Sequence, residues 1–145
     1  MNTIIIRKFR NNLRHFERQL EMQNASGCCC GVSLTQCHLL MELNKEDGIT
    51  VNTLSARLVL DKSTISRTVE GLVNMGMVNM IIPKENRRTT HIYLTDEGNR
   101  VCATINSGND DYFFKAMSAI PEKDREVFFS SFEKLVNKML KQNNK

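Results

Sequence analysis

Asp61-Lys62-Ser63-Thr64-Ile65-Ser66-Arg67-Thr68-Val69-Glu70-Gly71-Leu72-Val73 is the stretch on which the fold turns. Asp61 is a good helix N-cap, because its carboxylate can accept from backbone N–H groups that the first helical turn leaves unpaired. Ile65, Val69, Leu72 and Val73 then fall at helical spacing and predict one buried face. Gly76 is placed to end the helix, as a residue just past a helix C-terminus commonly does. The side chains left over at the start of this helix are hydroxyls and cations: Lys62, Ser63, Thr64, Ser66 and Arg67. Hydroxyls can donate to phosphates or base edges, and an arginine can fork onto a guanine or clamp a phosphate. The helix N-terminus adds backbone N–H groups for phosphate. No acidic side chain follows the cap in that first turn.

On the N-terminal side, Leu54 and Leu58 mark a short helix that Thr50 or Asn52 can cap, and Gly48 separates it from a helix over Ser33–Leu43 with Leu34, Cys37 and Leu40 or Met41 turned inward. On the C-terminal side, Val78-Asn79-Met80-Ile81-Ile82 and Thr89–Leu94 are β-prone runs around the polar, basic segment Pro83-Lys84-Glu85-Asn86-Arg87-Arg88. That pattern predicts a hairpin. Arg87 and Arg88 at its tip are placed to reach a minor groove, with Lys84 toward the backbone. Thr95 caps a further helix running to about Ile120. Two short helices a turn apart, followed by a basic-tipped hairpin, make a winged helix-turn-helix with double-stranded DNA as its partner.

The ends of the chain are helical too. Ile5, Phe9, Leu13, Phe16 and Leu20 repeat every three or four residues, so the first helix runs to about Asn24. Phe128, Phe132, Leu135 and Met139 form a similar stripe on a last helix that Pro121 opens. Both carry more apolar surface than a small domain covers, which predicts a homodimer built from the terminal helices. The fold class is therefore mainly α with a small β-hairpin wing. Residues 1–32 are expected to supply a dimerisation helix and a cysteine-bearing link, 33–98 the DNA-binding lobe, and 99–145 the C-terminal dimerisation helices, as one domain overall.

Length and composition agree. The 145 residues are 41% hydrophobic and 25% charged, ordinary values for a folded domain. The net charge of +4 is unevenly spread. Residues 1–20 carry five cations against Glu17, a local +4, and residues 57–91 carry six against three acids, a local +3. Residues 21–56 sum to −3. Six of the cations, Arg57, Lys62, Arg67, Lys84, Arg87 and Arg88, fall on or beside the helix-turn-helix and wing. No apolar run approaches the roughly 18 residues of a membrane span, and none forms a secretory core, so no membrane partner and a cytoplasmic location are expected. A Gly-rich phosphate loop, paired carboxylates in a cleft and a Ser-His-Asp set are all missing, which argues against an enzyme.

Leu54-Ser55-Ala56-Arg57-Leu58, Asp61–Arg67, Leu72-Val73-Asn74-Met75-Gly76-Met77-Val78, Asn86-Arg87-Arg88 and Tyr93-Leu94-Thr95-Asp96-Glu97-Gly98 together resemble the MarR family of bacterial transcription regulators. The resemblance covers about residues 33–100. It implies a homodimer, most often a repressor, bound to a pseudo-palindromic operator with one recognition helix per half-site. Asn86 stands where the family usually has Asp, so Arg87 is expected to be less firmly aimed.

Five cysteines in a reducing compartment argue for thiols, metal ligation or redox sensing rather than a disulfide framework. Cys28, Cys29 and Cys30 are consecutive in the link between the first two helices, and Cys37 and His38 follow. Thiolate and imidazole suit Zn(II) or a softer thiophilic metal or metalloid. Cys28, Cys30 and Cys37 are the easiest trio, with His38, Glu42, His15 or Glu21 as a fourth ligand. No cofactor is required, and such an ion would act as effector. Zn-binding members of the family also draw on histidines after the wing, where this chain has Cys102, so a three-thiolate site for an ion such as trivalent arsenic fits the inventory at least as well. Thiol oxidation, a small organic effector, or packing alone for Cys37 are the competing readings. Cys102 is expected in the core beside Val101 and Ile105, and His91 on the surface or at a cap.

Overall fold

A computed structural model of the chain describes residues 2–25 and 30–143. The elements run α1 (Thr3–Ala25), α2 (Leu34–Lys45), β1 (Ile49–Thr50), α3 (Val51–Leu58), α4 (Lys62–Asn74), β2 (Val78–Ile81), β3 (His91–Leu94), α5 (Asp96–Met117) and α6 (Glu122–Asn143). They fall into two compact units, residues 1–109 and 110–145.

The first unit is built around the helix-turn-helix. Leu39, Leu40 and Leu43 of α2, Leu54 of α3, Ile65, Val69 and Leu72 of α4, Ile92 of β3 and Val101, Cys102 and Ile105 of α5 are all buried in one core. Each such aliphatic side chain contributes roughly 1.5–3 kcal/mol on burial. Cys37 and Leu40 of α2 turn inward as their spacing suggested and Leu39 and Leu43 widen that face, whereas Leu34 is exposed. Val73 likewise turns outward and leaves Ile65, Val69 and Leu72 to bury α4.

Capping follows the sequence closely. Ser33 and Gln36 form a reciprocal capping box on α2: Gln36 N–H donates to Ser33 Oγ (3.2 Å) and Ser33 N–H to Gln36 Oε1 (2.8 Å). Of the two candidate caps for α3, Thr50 is the one used, its Oγ1 accepting from Thr53 N–H at 3.2 Å. Past α4, Gly76 takes φ +72°, a left-handed conformation that costs a glycine little, and the chain turns directly into β2.

The hairpin pairs antiparallel, Val78 opposite Leu94 and Ile81 opposite His91. A third strand, β1, which the sequence pattern did not suggest, lies on the other side of β3 with Ile49 opposite Ile92. Two residues leading straight into a helix are too few to show alternation. His91 is correspondingly not a plain surface residue: its Nδ1 is 2.8 Å from the Gly48 carbonyl oxygen, which ties the wing to the segment before α3. Asp47 Oδ1 accepts from Leu94 N–H at 2.9 Å and reinforces the same joint.

In the second unit, Phe128 stacks on Phe132 at 6.0 Å and meets Phe129 edge-on at 5.7 Å. These rings stay largely exposed, with Val127, Val136, Met139 and Leu140. The apolar stripe of α1 is similarly uncovered at Ile5, Phe9 and Phe16. No helix among the described residues is long and apolar enough to cross a membrane.

Candidate nucleic-acid interface

The turn between α3 and α4 is fixed by local hydrogen bonds. Val59 adopts a left-handed conformation (φ 54°, ψ 46°) at the end of α3, and its N–H donates to the Ser55 carbonyl. Ser55 Oγ donates to the Leu60 carbonyl, and Leu60 N–H donates back to the Ser55 carbonyl at 3.1 Å. This closed pair sets the angle at which α4 leaves the turn.

At the start of α4, Asp61 does more than cap. Its carboxylate accepts from Thr64 N–H (2.8 Å), Thr64 Oγ1 (2.6 Å) and Ser63 Oγ (2.8 Å). Three donors favour the charged form, so the side-chain and backbone bonds from Thr64, then that from Ser63, hold its pKa far below the usual carboxylate range. The two hydroxyls therefore point their protons at Asp61 and present lone pairs outward. In this arrangement they are suited to accept from base amino groups; to donate to phosphate they must first leave Asp61. The Thr64 amide is likewise taken and is not available to an anion.

One face of α4 carries Ser63, Ser66, Arg67 and Glu70, separated by three, one and three residues and all exposed. The opposite face is the buried Ile65–Val69–Leu72 set. Lys62 is exposed at the edge, and Thr64 is half-buried on the flank. Glu70 was not singled out by the sequence, yet it shares the outer face one turn beyond Ser66 and Arg67. A carboxylate there can accept from a cytosine N4 amino group.

The wing tip is organised by Asn86. Its Oδ1 accepts from Arg88 N–H at 3.2 Å, and its carbonyl accepts from Thr89 N–H (3.3 Å) and Thr89 Oγ1 (3.2 Å). Asn86 thus aims the backbone of the turn rather than the Arg87 guanidinium, the expectation that follows from its replacing an aspartate. This side-chain-to-backbone turn is common for Asn and was the signal available in the sequence. Lys84, Arg87 and Arg88 are exposed.

Ion pairing sorts the cations. Arg57 sits 3.7 Å from Glu42 and bonds closely to Glu46, and Arg100 binds Glu97 through two nitrogens (2.6 and 2.8 Å). Both guanidinium groups have their pKa raised, chiefly by those hydrogen bonds. Lys62, Arg67, Lys84, Arg87 and Arg88 have no carboxylate partner among the described residues. Of the six cations expected beside the motif, Arg57 is therefore spent on α2 and five remain for a polyanion.

The cysteine set divides. Cys28 and Cys29 lie outside the described residues. Cys30 is exposed with φ 49° in the link, Cys37 is 5% exposed in the α2 core, and His38 next to it is exposed. Among the described residues no three His, Cys, Asp or Glu side chains come together to hold a metal ion. Cys102 is fully buried, as expected, and its Sγ is 3.6 Å from the Leu40 carbonyl oxygen. Burial pushes its thiol pKa up, which leaves it protonated and inert.

In the second unit a cavity of about 560 Å³ is lined by Asp110, Phe113, Phe114, Met117, Arg125 and Phe129. Arg125 is held there by its Nε–H, which donates to the Ile120 carbonyl at 3.0 Å.

A helix pair with a closed turn, a polar and cationic second helix, and a three-stranded wing with a basic tip define a winged helix-turn-helix protein. Residues 31–88 match the model of the MarR family. The HTH-type transcriptional regulator SarZ of Staphylococcus haemolyticus is 27% identical over 96 residues, 66% of this chain and 65% of that protein, so the chain spans just under two thirds of this relative's length. A MarR family protein from Bacillus stearothermophilus shares the fold with a TM-score of 0.82 at 20% identity, covering 96% of this chain and 98% of that one. The PcaV transcriptional regulator of Streptomyces coelicolor, solved in complex with its natural ligand, superposes with a TM-score of 0.71 at 22% identity over 88% of this chain and 91% of that one. Over residues 31–88 the chain is thus similar to the MarR family, and it shares the winged helix-turn-helix fold with solved MarR proteins.

Proposed function

We propose that the protein is a homodimeric repressor that binds a pseudo-palindromic operator, inserting one α4 per half-site while the wing arginines follow the adjacent minor groove. The observation that carries this reading is the set of five cations on α4 and the wing, Lys62, Arg67, Lys84, Arg87 and Arg88, without a carboxylate partner among the described residues, whereas the nearby Arg57 and Arg100 are paired. Cations held apart from carboxylates in water are what a phosphate backbone selects, because each contact releases condensed counterions. The exposed stripes of α1 and α6 support dimerisation, since surfaces such as Phe9–Phe16 and Phe128–Phe132 need a second chain to cover them. Half-sites must lie about one DNA turn apart, so the dimer sets which operators fit.

Selecting duplexes from a random pool with the purified protein tests this. Enrichment of an inverted repeat, with Arg67→Ala abolishing selection, is the expected result; recovery of no common sequence overturns the operator reading.

For control of operator affinity we propose a small organic effector with an apolar body and an acidic group. The cavity supports it: phenylalanine and methionine side chains would take the body and the Arg125 guanidinium the charge. PcaV, of the same fold, has a natural ligand. The second effector chemistry is a thiophilic ion, Zn(II) or a metalloid, held by Cys28, Cys29 and Cys30. The burial of Cys37 weighs against its joining that set with His38, because Cys37 packs in the core while His38 is exposed. Titrating hydrophobic carboxylic acids and thiophilic ions separately into a protein–operator mixture distinguishes the two.

A further inference from the structure

Residues 1–20 carry a charge equal to the net charge of the entire chain, +4, and α1 arranges it. At 100° per residue, Arg7, Arg10, Arg14 and Arg18 fall within an arc of about 80° along roughly 16 Å of helix. Ile5, Phe9, Leu13, Phe16 and Leu20 occupy a separate arc centred about 140° away. All four arginines are exposed. Arg14 donates to Asn11 Oδ1 at 2.9 Å and Arg18 lies 3.9 Å from Glu21, while Arg7 and Arg10 have no ion pair among the described residues. The helix is anchored near its C-terminal end, where Gln23 is buried and its Nε2 donates to Asn109 Oδ1 at 3.3 Å. This row of cations therefore stands on a different element from α4 and the wing, and the operator reading does not use it.

An extended anion suits this row, which is centred about 140° from the apolar stripe and is only partly offset, by Glu17 and by the 3.9 Å contact of Arg18 with Glu21. A lipid surface fits poorly. An interfacial helix buries its apolar face with its cations flanking it; here Lys8 and Arg10 flank the stripe, but burying Ile5, Phe9 and Phe16 would turn Arg7, Arg14 and Arg18 into water. Arginine in all four places favours phosphate, which it engages two oxygens at a time. We propose that Arg7, Arg10, Arg14 and Arg18 form a second, sequence-independent DNA surface that grips the sugar–phosphate backbone of a duplex. A dimer covered along its apolar stripes would present two such rows, and so could hold a second duplex or a looped flank beside the operator.

The test uses the full chain with Arg67→Ala, Arg87→Ala and Arg88→Ala, and a short random-sequence duplex followed by fluorescence anisotropy over a range of salt. That triple variant is expected to keep salt-dependent binding to the random duplex. Adding Arg7→Gln, Arg10→Gln, Arg14→Gln and Arg18→Gln should flatten the slope of log K against log salt by about 0.9 for each arginine engaged. Replacing the same four by Lys should restore most of it, which separates lost charge from lost fold. The proposal is overturned if the triple variant no longer binds the random duplex while the wild type does. It is also overturned if poly-glutamate or anionic phospholipid vesicles bind in preference to the duplex, or if the Gln variant sediments as a monomer where the wild type is a dimer. An operator reading that fails shows itself differently, as undiminished operator affinity in the triple variant, and leaves the comparison on α1 intact.

Discussion

Replacing Arg87 by Ala removes one unpaired wing cation per protomer, hence two per operator-bound dimer. If each neutralises a phosphate, the slope of log K against log salt falls in magnitude by about 0.9 per contact, or about 1.8 per dimer. Between about 50 and about 200 mM salt, that change amounts to a roughly twelvefold smaller loss of affinity than the wild type suffers. Fluorescence anisotropy of a labelled operator across that range reads the number directly. Arg57→Ala is the matched control, because Glu42 and Glu46 already hold that guanidinium and its removal should leave the slope unchanged. An unchanged slope in Arg87→Ala would refute the phosphate role of the wing. Equal slope changes in the two variants would refute the link between ion pairing and DNA contact.

Other outcomes follow from the same geometry. Glu70→Ala should loosen the sequence preference of the selected operator at one position per half-site with little loss of affinity for random duplex; an unaltered selected sequence removes Glu70 from base reading. Gly98→Ala places a Cβ 2.1 Å from the Met77 carbonyl oxygen, so it should cost about 1–3 kcal/mol of unfolding free energy by urea titration, and a neutral result would mean the α5–wing joint yields more easily than packed backbone does. The Asp61 carboxyl is more acidic folded than unfolded, so its stabilising effect is complete above about pH 4 and fades as pH falls toward the lower folded value. Asp61→Asn should therefore flatten the acid limb of the stability–pH curve, and a limb identical to wild type contradicts the three-donor arrangement. If a thiophilic ion is the effector, trivalent arsenic should release operator from the wild type and not from the chain with Cys28, Cys29 and Cys30 changed to Ser; release from both rules out the link as its site.

Most helices, several caps and the wing were legible because each rests on local chemistry: Asp61 and Thr95 announce helix starts, Gly76 an end, and Lys84–Arg88 a basic turn. What escaped was non-local. β1 is two residues long and exists only because Ile49 and Thr50 meet β3. His91 reads as a surface residue until the Gly48 carbonyl is seen beside it. Arg57 is indistinguishable from Arg67 in charge and differs only in what α2 brings near it. Cys37, by contrast, was legible as an inward residue of α2 and is buried there. Ser63 and Thr64 were visible as hydroxyls at the start of α4, but their orientation by Asp61 was not, since an N-cap requires only the bond from a backbone amide.

The most direct test of α4 and the wing as the operator surface is chemical-shift mapping of the isotope-labelled protein as the selected duplex is added. Perturbed amides are expected to cluster at Lys62–Arg67 and Lys84–Arg88, with Arg57 and Arg100 unmoved; perturbations centred on Arg57 and Arg100, with the α4 and wing amides silent, would contradict it.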